Sequence, residues 1–429
     1  MAKLLLVVCA ASLVVLVVVF AAAAAATPGR RHRYDSIFSL GDSYADTGNG
    51  PVVFGWHAIA NPVMRPPYGS TFFGHPTGRN CDGRLPIDFL GACVPFPPAV
   101  DRVAADDQSI ALCSFAAEGL GLPLIPPFLA RRSFRRGANF AVGGATALDT
   151  AFFHRWDPPG GSTFPLNTSL AVQLQWFESL KPSLCTTTQD CRELFGRSLF
   201  FVGAFGANDY LLSLGAKSIH QVRSFVPDVV RTISMAVERL IQHGATTVVV
   251  PGVIPLGCAP PVLVTFADPD PAAYDTRTGC LKAINDLTAH HNALLQQALH
   301  ELQAKHSAGD VAIVYADFFG PVVEMVTSPA KFGFEGDVLT LCCGGPGRFN
   351  YNKTVFCGDP GATRCRDPSA RLFWDGVHLT EAAYRYIAAG WLSSIKSSSP
   401  PGTASGGGAN GTTATTAAKD KEGRSCCAN

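Results

Sequence analysis

The segment SLFFVGAFG (Ser198–Gly206) begins the pattern that decides the fold. Its continuous apolar run, which ends at glycine, predicts a buried strand. The segment SFVPDVVRTISMAVERLIQHGA (224–245) follows, and its apolar residues recur at the three- and four-residue spacing of an amphipathic helix. Pro227 suits the first turn of that helix and Gly244 suits its C-cap. TTVVVPGV (246–253) is a second β-branched run, so the whole stretch predicts a strand–helix–strand unit.

The same alternation recurs along the chain. The apolar run Ser36–Leu40 predicts a strand, and residues 281–306 predict a long helix that leads to the strand VAIVYADFF (311–319). Repeated units of this kind predict a mostly parallel sheet covered by helices on both faces. Ligands of such sheets bind beyond the carboxyl ends of the strands, so we expect chemistry in the loops that follow them.

Composition limits the class of protein. The chain has 429 residues, of which 47% are hydrophobic and 16% charged, so it can bury a large core. It carries 34 basic and 33 acidic residues, for a net charge of +1. This balance gives no electrostatic basis for binding nucleic acid.

The two ends of the chain differ in composition from its body. Lys3 precedes an apolar run that ends in the small residues AAAAAATPG, and this pattern predicts a secretory signal peptide over residues 1–26. The run is also long enough to span a bilayer, so an uncleaved anchor is the alternative. Residues 397–429 are rich in Ser, Gly, Thr and Ala, which predicts a flexible tail.

Cysteines and glycosylation sequons agree with export. Of 14 cysteines, 11 lie between the signal peptide and the tail, and their clustering predicts local disulfides whose pairing stays open. A zinc site is the alternative, but no pair has the C-x2-C spacing of a zinc knuckle. The groups are Cys185 with Cys191, Cys258 with Cys280, Cys81 with Cys93, and the cluster Cys342, Cys343, Cys357 and Cys365. The sequons, which predict glycosylated surface loops, are Asn167, Asn352 and Asn410.

Four polar clusters stand in the chain, two of them directly after predicted strands. They are Gly41-Asp42-Ser43, GANFAVGGA (137–145), GAND (206–209) and WDGVHLTEAAY (374–384). Alone, each of the first three is common as a turn or cap, and the D-x-x-H spacing in the fourth is frequently a surface salt bridge. Their joint occurrence, with two of them at the ends of predicted strands, favours a catalytic site.

The residue types in these clusters suit acyl transfer. A serine such as Ser43 is a weak nucleophile until a base removes its proton. Asp375 and His378 are three residues apart, so the carboxylate can orient the imidazole as that base. The developing oxyanion needs donors, which Gly144, Asn208 and the N–H of Ser43 can supply. Other polar residues receive structural roles: Asp46 and Asn49 hold the loop, and His243, His290 and His291 are ordinary helix residues.

The clusters together resemble the plant GDSL esterase/lipase family, within the SGNH hydrolases. The matching blocks are FSLGDSYADTGN (38–49), NFAVGGA (139–145), GAND and DGVHLTEAAY (375–384). Further family-like segments include PPYGSTFFGHPTGR and PGVIPLGCAP, and the resemblance covers about residues 34–395. One departure is Cys81, which precedes DGR where the family pattern has Ser, and an extra disulfide with Cys93 would be its consequence.

The resemblance implies a role for each site residue. Ser43 is the nucleophile, His378 the base and Asp375 its orienting acid, and Gly144 and Asn208 complete the oxyanion hole with the N–H of Ser43. The implied fold is a flavodoxin-like three-layer α/β/α sandwich with a mostly parallel sheet of about five strands. It also implies no cofactor and no metal. Because the site needs both ends of the body, residues 27–396 are predicted to form a single SGNH/GDSL hydrolase domain.

The predicted function is that of a secreted, monomeric serine esterase of the cell wall or extracellular space, the vacuole or another secretory compartment being the alternative. Its partner is an ester substrate, without nucleic acid and without membrane insertion once the signal peptide is removed. Aromatic residues after the nucleophile, Trp56, Tyr68, Phe72 and Phe73, favour a short acyl group on a polysaccharide or small metabolite, unless they only pack their loop. The alternatives are an acyltransferase that uses the same serine, a lipase for longer acyl chains, and an inactive wall-binding protein.

Overall fold

A parallel five-stranded sheet forms the centre of the protein. The computed structural model describes residues 33–91, 119–130, 133–154, 166–307 and 309–398. The central strands are β1 (Ser36–Leu40), β2 (Gly137–Asn139), β3 (Ser198–Val202), β4 (Thr247–Pro251) and β5 (Ala312–Ala316). They lie in the order β2-β1-β3-β4-β5, and every neighbouring pair is parallel.

Helices cover both faces of this sheet. They are α1 (Asn49–Trp56), α2 (Pro86–Gly91), α3 (Thr150–His154), α4 (Leu170–Leu184), α5 (Thr188–Gly196), α6 (Ala207–Leu214), α7 (Ile219–Arg223), α8 (Val226–Gln242), α9 (Pro260–Thr265), α10 (Lys282–Lys305), α11 (Phe319–Thr327) and α12 (Glu381–Ser398). Successive strand residues enter opposite cores, as Leu199 and Phe200 of β3 do. The first core includes α2, α9, α11 and α12, and the second includes α4, α8 and most of α10. The predicted three-layer α/β/α class is therefore confirmed.

The predicted elements agree with the structure except at some ends. Strand Ser36–Leu40 is found as predicted, and the helix predicted over 224–245 runs from Val226 to Gln242. The strand predicted over 198–206 is shorter and ends at Val202. It ends there because the chain turns: Ala204 has φ +44° and Gly206 has φ +118°, and neither conformation continues a strand.

Disulfides bind the loops that surround the sheet. The two local pairs predicted, Cys185–Cys191 and Cys258–Cys280, are present. The four cysteines whose pairing the sequence leaves open form the disulfides Cys342–Cys365 and Cys343–Cys357. These bonds lie beside the small antiparallel strands β6 (Cys343–Gly344) and β7 (Thr363–Arg364).

Cys81 departs from the disulfide prediction. It is a buried free thiol, so the disulfide considered with Cys93 is wrong as a bond of this structure. The Cys81 thiol instead faces the Asp82 carboxylate at 3.3 Å, and Cys93 lies outside the described residues.

The predicted ends of the chain lie mostly outside the described part. Residues 1–26, Asn410 and most of the tail belong to the undescribed ranges. Helix α12 continues to Ser398, two residues past the predicted end of the domain at residue 396. The described residues belong to one compact unit, and among them no helix combines the length and apolarity needed to cross a membrane.

Candidate active site

Ser43 lies at the carboxyl end of β1, on a turn that is fixed from both sides. The N–H of Gly41 donates to Gln173 Oε1 at 2.8 Å, and Gln173 Nε2 donates back to Gly41 O at 2.8 Å. The N–H groups of Ala45 and Asp46 both donate to Asp42 O at 3.0 Å. This turn presents Ser43 at the sheet edge where ligands of parallel sheets bind.

The Asp46 carboxylate ties this turn to the second polar cluster. It accepts the N–H groups of Gly48, Asn49, Gly50 and Gly143 at 2.7–2.8 Å. Burial raises the pKa of Asp46 to about 6, and the four N–H donors act in the opposite direction. Asn49 contributes through its side chain, which donates to backbone carbonyls of the second cluster at 2.7 and 2.9 Å. Asp46 and Asn49 therefore hold the loop, in the structural role expected of them.

His378 connects Ser43 to Asp375. Its Nε2 lies 2.8 Å from Ser43 Oγ, and its Nδ1 lies 2.6 Å from Asp375 Oδ1. The turn between the last two residues is closed by the N–H of His378, which donates to Asp375 O at 2.9 Å. With Nδ1 donating to the carboxylate, Nε2 can accept a hydrogen bond from the Ser43 hydroxyl.

Three candidate oxyanion donors line the same cleft, which has a volume of about 380 Å³. Gly144 has φ +84°, a conformation that favours glycine, and in the described structure a Cβ there would meet no heavy atom within 4 Å. Asn208 Nδ2 donates to Ala145 O at 2.9 Å, which fixes the amide. In the described ranges, the N–H groups of Ser43 and Gly144 have no protein acceptor.

Two buried carboxylates support these loops without contacting His378. Asp209 accepts the N–H groups of Ala147 and Leu148 at 2.9 and 3.0 Å, which joins the second and third clusters. Asp42 accepts the N–H of Tyr44 at 3.0 Å and lies 3.4 Å from Asn208 Nδ2. Burial raises the pKa of Asp42 to about 7, against the N–H of Tyr44 and the charge of His378, which lower it.

The aromatic residues after the nucleophile mostly pack their loop. Phe72 lies under the Arg84 guanidinium at 4.1 Å and Phe73 under that of Arg79 at 4.6 Å, while Trp56 is 62% exposed. Tyr68 is different: it lines the cleft, and its hydroxyl donates to Asp375 Oδ2. Sequence reasoning missed this contact, although it had singled out the segment PPYGSTFFGHPTGR.

His291, expected to be an ordinary helix residue, lies within α10 on its buried side. Its side chain is fully buried, and its Nδ1 lies 2.7 Å from the hydroxyl of Tyr210. A Cβ on Gly206 would lie 2.9 Å from the imidazole, so the ring packs under the third cluster. Burial lowers the pKa of His291 to about 3, so the ring is neutral. The helical period of α10 marks the position as inward, but it does not identify Tyr210 as the partner.

The walls of the cleft are partly apolar and partly polar. The apolar part includes Phe54, Val63 and Phe356 together with the disulfide Cys343–Cys357. Apart from the residues already described, the polar part includes four asparagines: Asn61, Asn80, Asn208 and the sequon residue Asn352. Within the described ranges, no group of three or more His, Cys, Asp or Glu side chains could hold a metal ion.

Comparison with known proteins decides the family. The model of the GDSL-like lipase/acylhydrolase family matches residues 37–391, which is most of the chain. The chain belongs to this family. It is therefore a carboxylic ester hydrolase, and its substrates are esters.

Similar proteins of Arabidopsis thaliana carry names of the same kind. GDSL esterase/lipase At5g45910 is 42% identical over 370 residues, which cover 84% of this chain and 91% of the relative. GDSL esterase/lipase At1g28600 is 38% identical over 371 residues, which cover 86% of each. GDSL esterase/lipase At1g28570 is 40% identical over 370 residues, covering 84% of this chain and 85% of the relative.

Proposed function

We propose that the chain hydrolyses carboxylic esters through an acyl-enzyme on Ser43. The observation that carries this proposal is the position of His378, whose two ring nitrogens lie 2.8 Å from Ser43 Oγ and 2.6 Å from Asp375 Oδ1. A serine, a base and an orienting carboxylate in this geometry are the requirements for nucleophilic acyl transfer.

In the first half of the reaction, Ser43 Oγ forms a bond to the ester carbonyl carbon and its proton passes to His378 Nε2. The carbonyl oxygen becomes an oxyanion, which the N–H groups of Ser43 and Gly144 and the amide of Asn208 stabilise. The tetrahedral intermediate then releases the alcohol, which takes the proton from His378 and leaves the acyl group on Ser43.

In the second half, a water oxygen forms a bond to the acyl carbon while one of its protons passes to His378 Nε2. The intermediate collapses, the carboxylic acid leaves, and Ser43 regains its proton from His378. Asp375 keeps Nδ1 protonated and stabilises the imidazolium that forms in both halves.

For the substrate, we propose a short acyl group such as acetyl, carried by a hydroxyl-rich alcohol: a cell-wall polysaccharide or a small metabolite. Phe72 and Phe73 pack against arginines, so these two aromatic residues do not support the preference for a short acyl group. Its support is the cleft, where asparagine amides such as Asn61 and Asn80 suit a sugar-like alcohol and apolar walls suit an acyl group.

A panel of p-nitrophenyl esters from two to twelve carbons, together with acetate release from acetylated xylan, tests the substrate. The expected result is highest kcat/KM at two to four carbons, with activity lost in Ser43→Ala. A maximum at eight or more carbons would replace the short acyl group with a lipid-like one. Product analysis with an added sugar acceptor distinguishes hydrolysis from acyl transfer to an alcohol.

We also propose that the protein is secreted and glycosylated. The four disulfides of the described residues suit an oxidising compartment, and Asn167 is exposed. Mass spectrometry of the protein from plant culture medium tests this: a mature start near residue 27 and glycans at the sequons are expected. Recovery only from the cytosol would contradict it.

A further inference from the structure

Three tyrosine hydroxyls contact the loop that carries Asp375 and His378. The hydroxyl of Tyr44 donates to Val377 O at 3.0 Å, and the hydroxyl of Tyr384 accepts the N–H of Leu379 at 3.1 Å. Both of these contacts are to the backbone of the loop. The hydroxyl of Tyr68 instead donates to the side chain of Asp375, at Oδ2.

The Asp375 carboxylate is thus shared between two donors. Its Oδ1 accepts from His378 Nδ1 and its Oδ2 from Tyr68. Tyr68 is only 2% exposed, and its ring packs edge-on against Trp374 with centroids 5.9 Å apart. Burial and the charge of Asp375 raise the pKa of Tyr68 well above its usual value. The phenol therefore stays protonated and serves as the hydrogen-bond donor to Asp375.

We propose that Tyr68 is a positioning residue for ester hydrolysis, which holds Asp375 Oδ2 so that Oδ1 stays directed at His378 and which moderates the basicity of that carboxylate. This inference rests on the proposed function of Ser43, Asp375 and His378. It gives a role in catalysis to the Tyr68 hydroxyl, whose partner Asp375 lies 307 positions away along the chain.

Loss of the Tyr68 hydroxyl should change the pH dependence of the reaction. Without this hydrogen bond, the Asp375 carboxylate stabilises the His378 imidazolium more strongly. The pKa that governs the acid limb of kcat/KM then rises, because His378 must be neutral to accept the serine proton.

Other titratable groups surround this pair and stay unchanged in the variant. Asp42, Tyr44 and Tyr384 lie around His378 and its loop, and Asp359 and Cys81 act on Tyr68. Because they are common to wild type and variant, a difference between the two pH profiles reports on the Tyr68 hydroxyl.

The test compares Tyr68→Phe with Tyr44→Phe and Tyr384→Phe, which remove hydroxyls from the backbone of the same loop. For p-nitrophenyl acetate, Tyr68→Phe should lower kcat/KM about 10- to 100-fold, the effect of one hydrogen bond to a charged group. The loss should fall mainly on kcat, and the acid limb should move to higher pH. The two control variants should keep the wild-type acid limb.

A wild-type acid limb in folded Tyr68→Phe would overturn the proposal, whether or not the rate falls. If Tyr68→Phe does not fold, fluorotyrosine at position 68 keeps the shape and strengthens the donor, so it should move the limb to lower pH; an unmoved limb overturns the proposal equally. Retained turnover in Ser43→Ala would instead refute the proposed function, so the two failures are distinguishable.

Discussion

The carboxylate of Asp46 accepts the N–H of Gly143 at 2.8 Å, and this bond joins the loop of the proposed nucleophile to the loop of the proposed oxyanion hole. The same carboxylate accepts three N–H groups within its own loop. Together with the Asn49 side chain, this buried carboxylate holds the loop of Ser43 against the loop of Gly144. The stability of this region and its geometry for catalysis are therefore coupled.

We expect Asp46→Asn to lower both the free energy of unfolding and kcat. An amide offers one acceptor oxygen, and its NH2 group would face N–H donors that now bind a carboxylate, so about 2–4 kcal/mol of stability should be lost. Urea unfolding measures this loss, and kcat for p-nitrophenyl acetate should fall in the folded fraction. Asp270→Asn, at an exposed turn where the carboxylate accepts one N–H at 2.9 Å, is the control and should change both values little. Equal stability of the two variants would contradict the argument.

Asp375 and Asp42 offer a comparison of two acids near the same histidine. Asp375 contacts His378 Nδ1, whereas Asp42 contacts the N–H of Tyr44. If Asp375 is the orienting acid, Asp375→Asn should lower kcat about 10³- to 10⁴-fold, because the imidazole then takes the wrong tautomer. Asp42→Asn should cost far less. Steady-state kinetics, with labelling of Ser43 by a fluorophosphonate, measures the two effects. A larger loss of kcat in Asp42→Asn would make Asp42 the orienting acid.

The fold and the residues of the site can both be predicted from the sequence, but for different reasons. Strands such as Ser36–Leu40 are predictable because both faces are buried, which leaves a continuous apolar run. Ser43, Gly144, Asn208, Asp375 and His378 are identifiable because each belongs to a dense polar cluster. The structure brings them to one cleft, while their individual catalytic roles stay predictions.

Contacts between distant segments could not be predicted in the same way. The donation from Tyr68 to Asp375 leaves no periodic signal, since neither residue constrains the local backbone of the other. The adjacent Cys342 and Cys343 allow either pairing with Cys357 and Cys365 until the register of β6 and β7 is known.

His291 gives a prediction for stability at low pH. Its pKa is about 3 in the folded state and about 6.5 for an unperturbed histidine, so between these values the unfolded state binds more protons. Stability from this residue is complete above pH 6.5 and falls as the pH drops toward 3, by about 2 kcal/mol at pH 5.

Urea unfolding between pH 4 and 8 tests this for His291→Gln, which keeps a polar partner for Tyr210 and does not titrate. The variant should lose less stability than wild type as the pH falls. The exposed His220→Gln serves as control and should follow the wild-type curve. Parallel curves for wild type and His291→Gln would show that the buried imidazole does not resist protonation.

The disulfide Cys343–Cys357 should affect substrate binding as well as stability, because both cysteines line the cleft. The double variant Cys343→Ser/Cys357→Ser frees a loop closed over 14 residues, so about 3 kcal/mol of stability should be lost. KM should rise with it, since the released segment carries wall residues such as Phe356. Cys185→Ser/Cys191→Ser is the matched control: it opens a loop of 6 residues and removes no cleft residue, so Tm should fall while KM stays at the wild-type value. Differential scanning calorimetry and kinetics with p-nitrophenyl acetate measure the two quantities, and an unchanged KM in the first double variant would show that the disulfide does not shape the cleft.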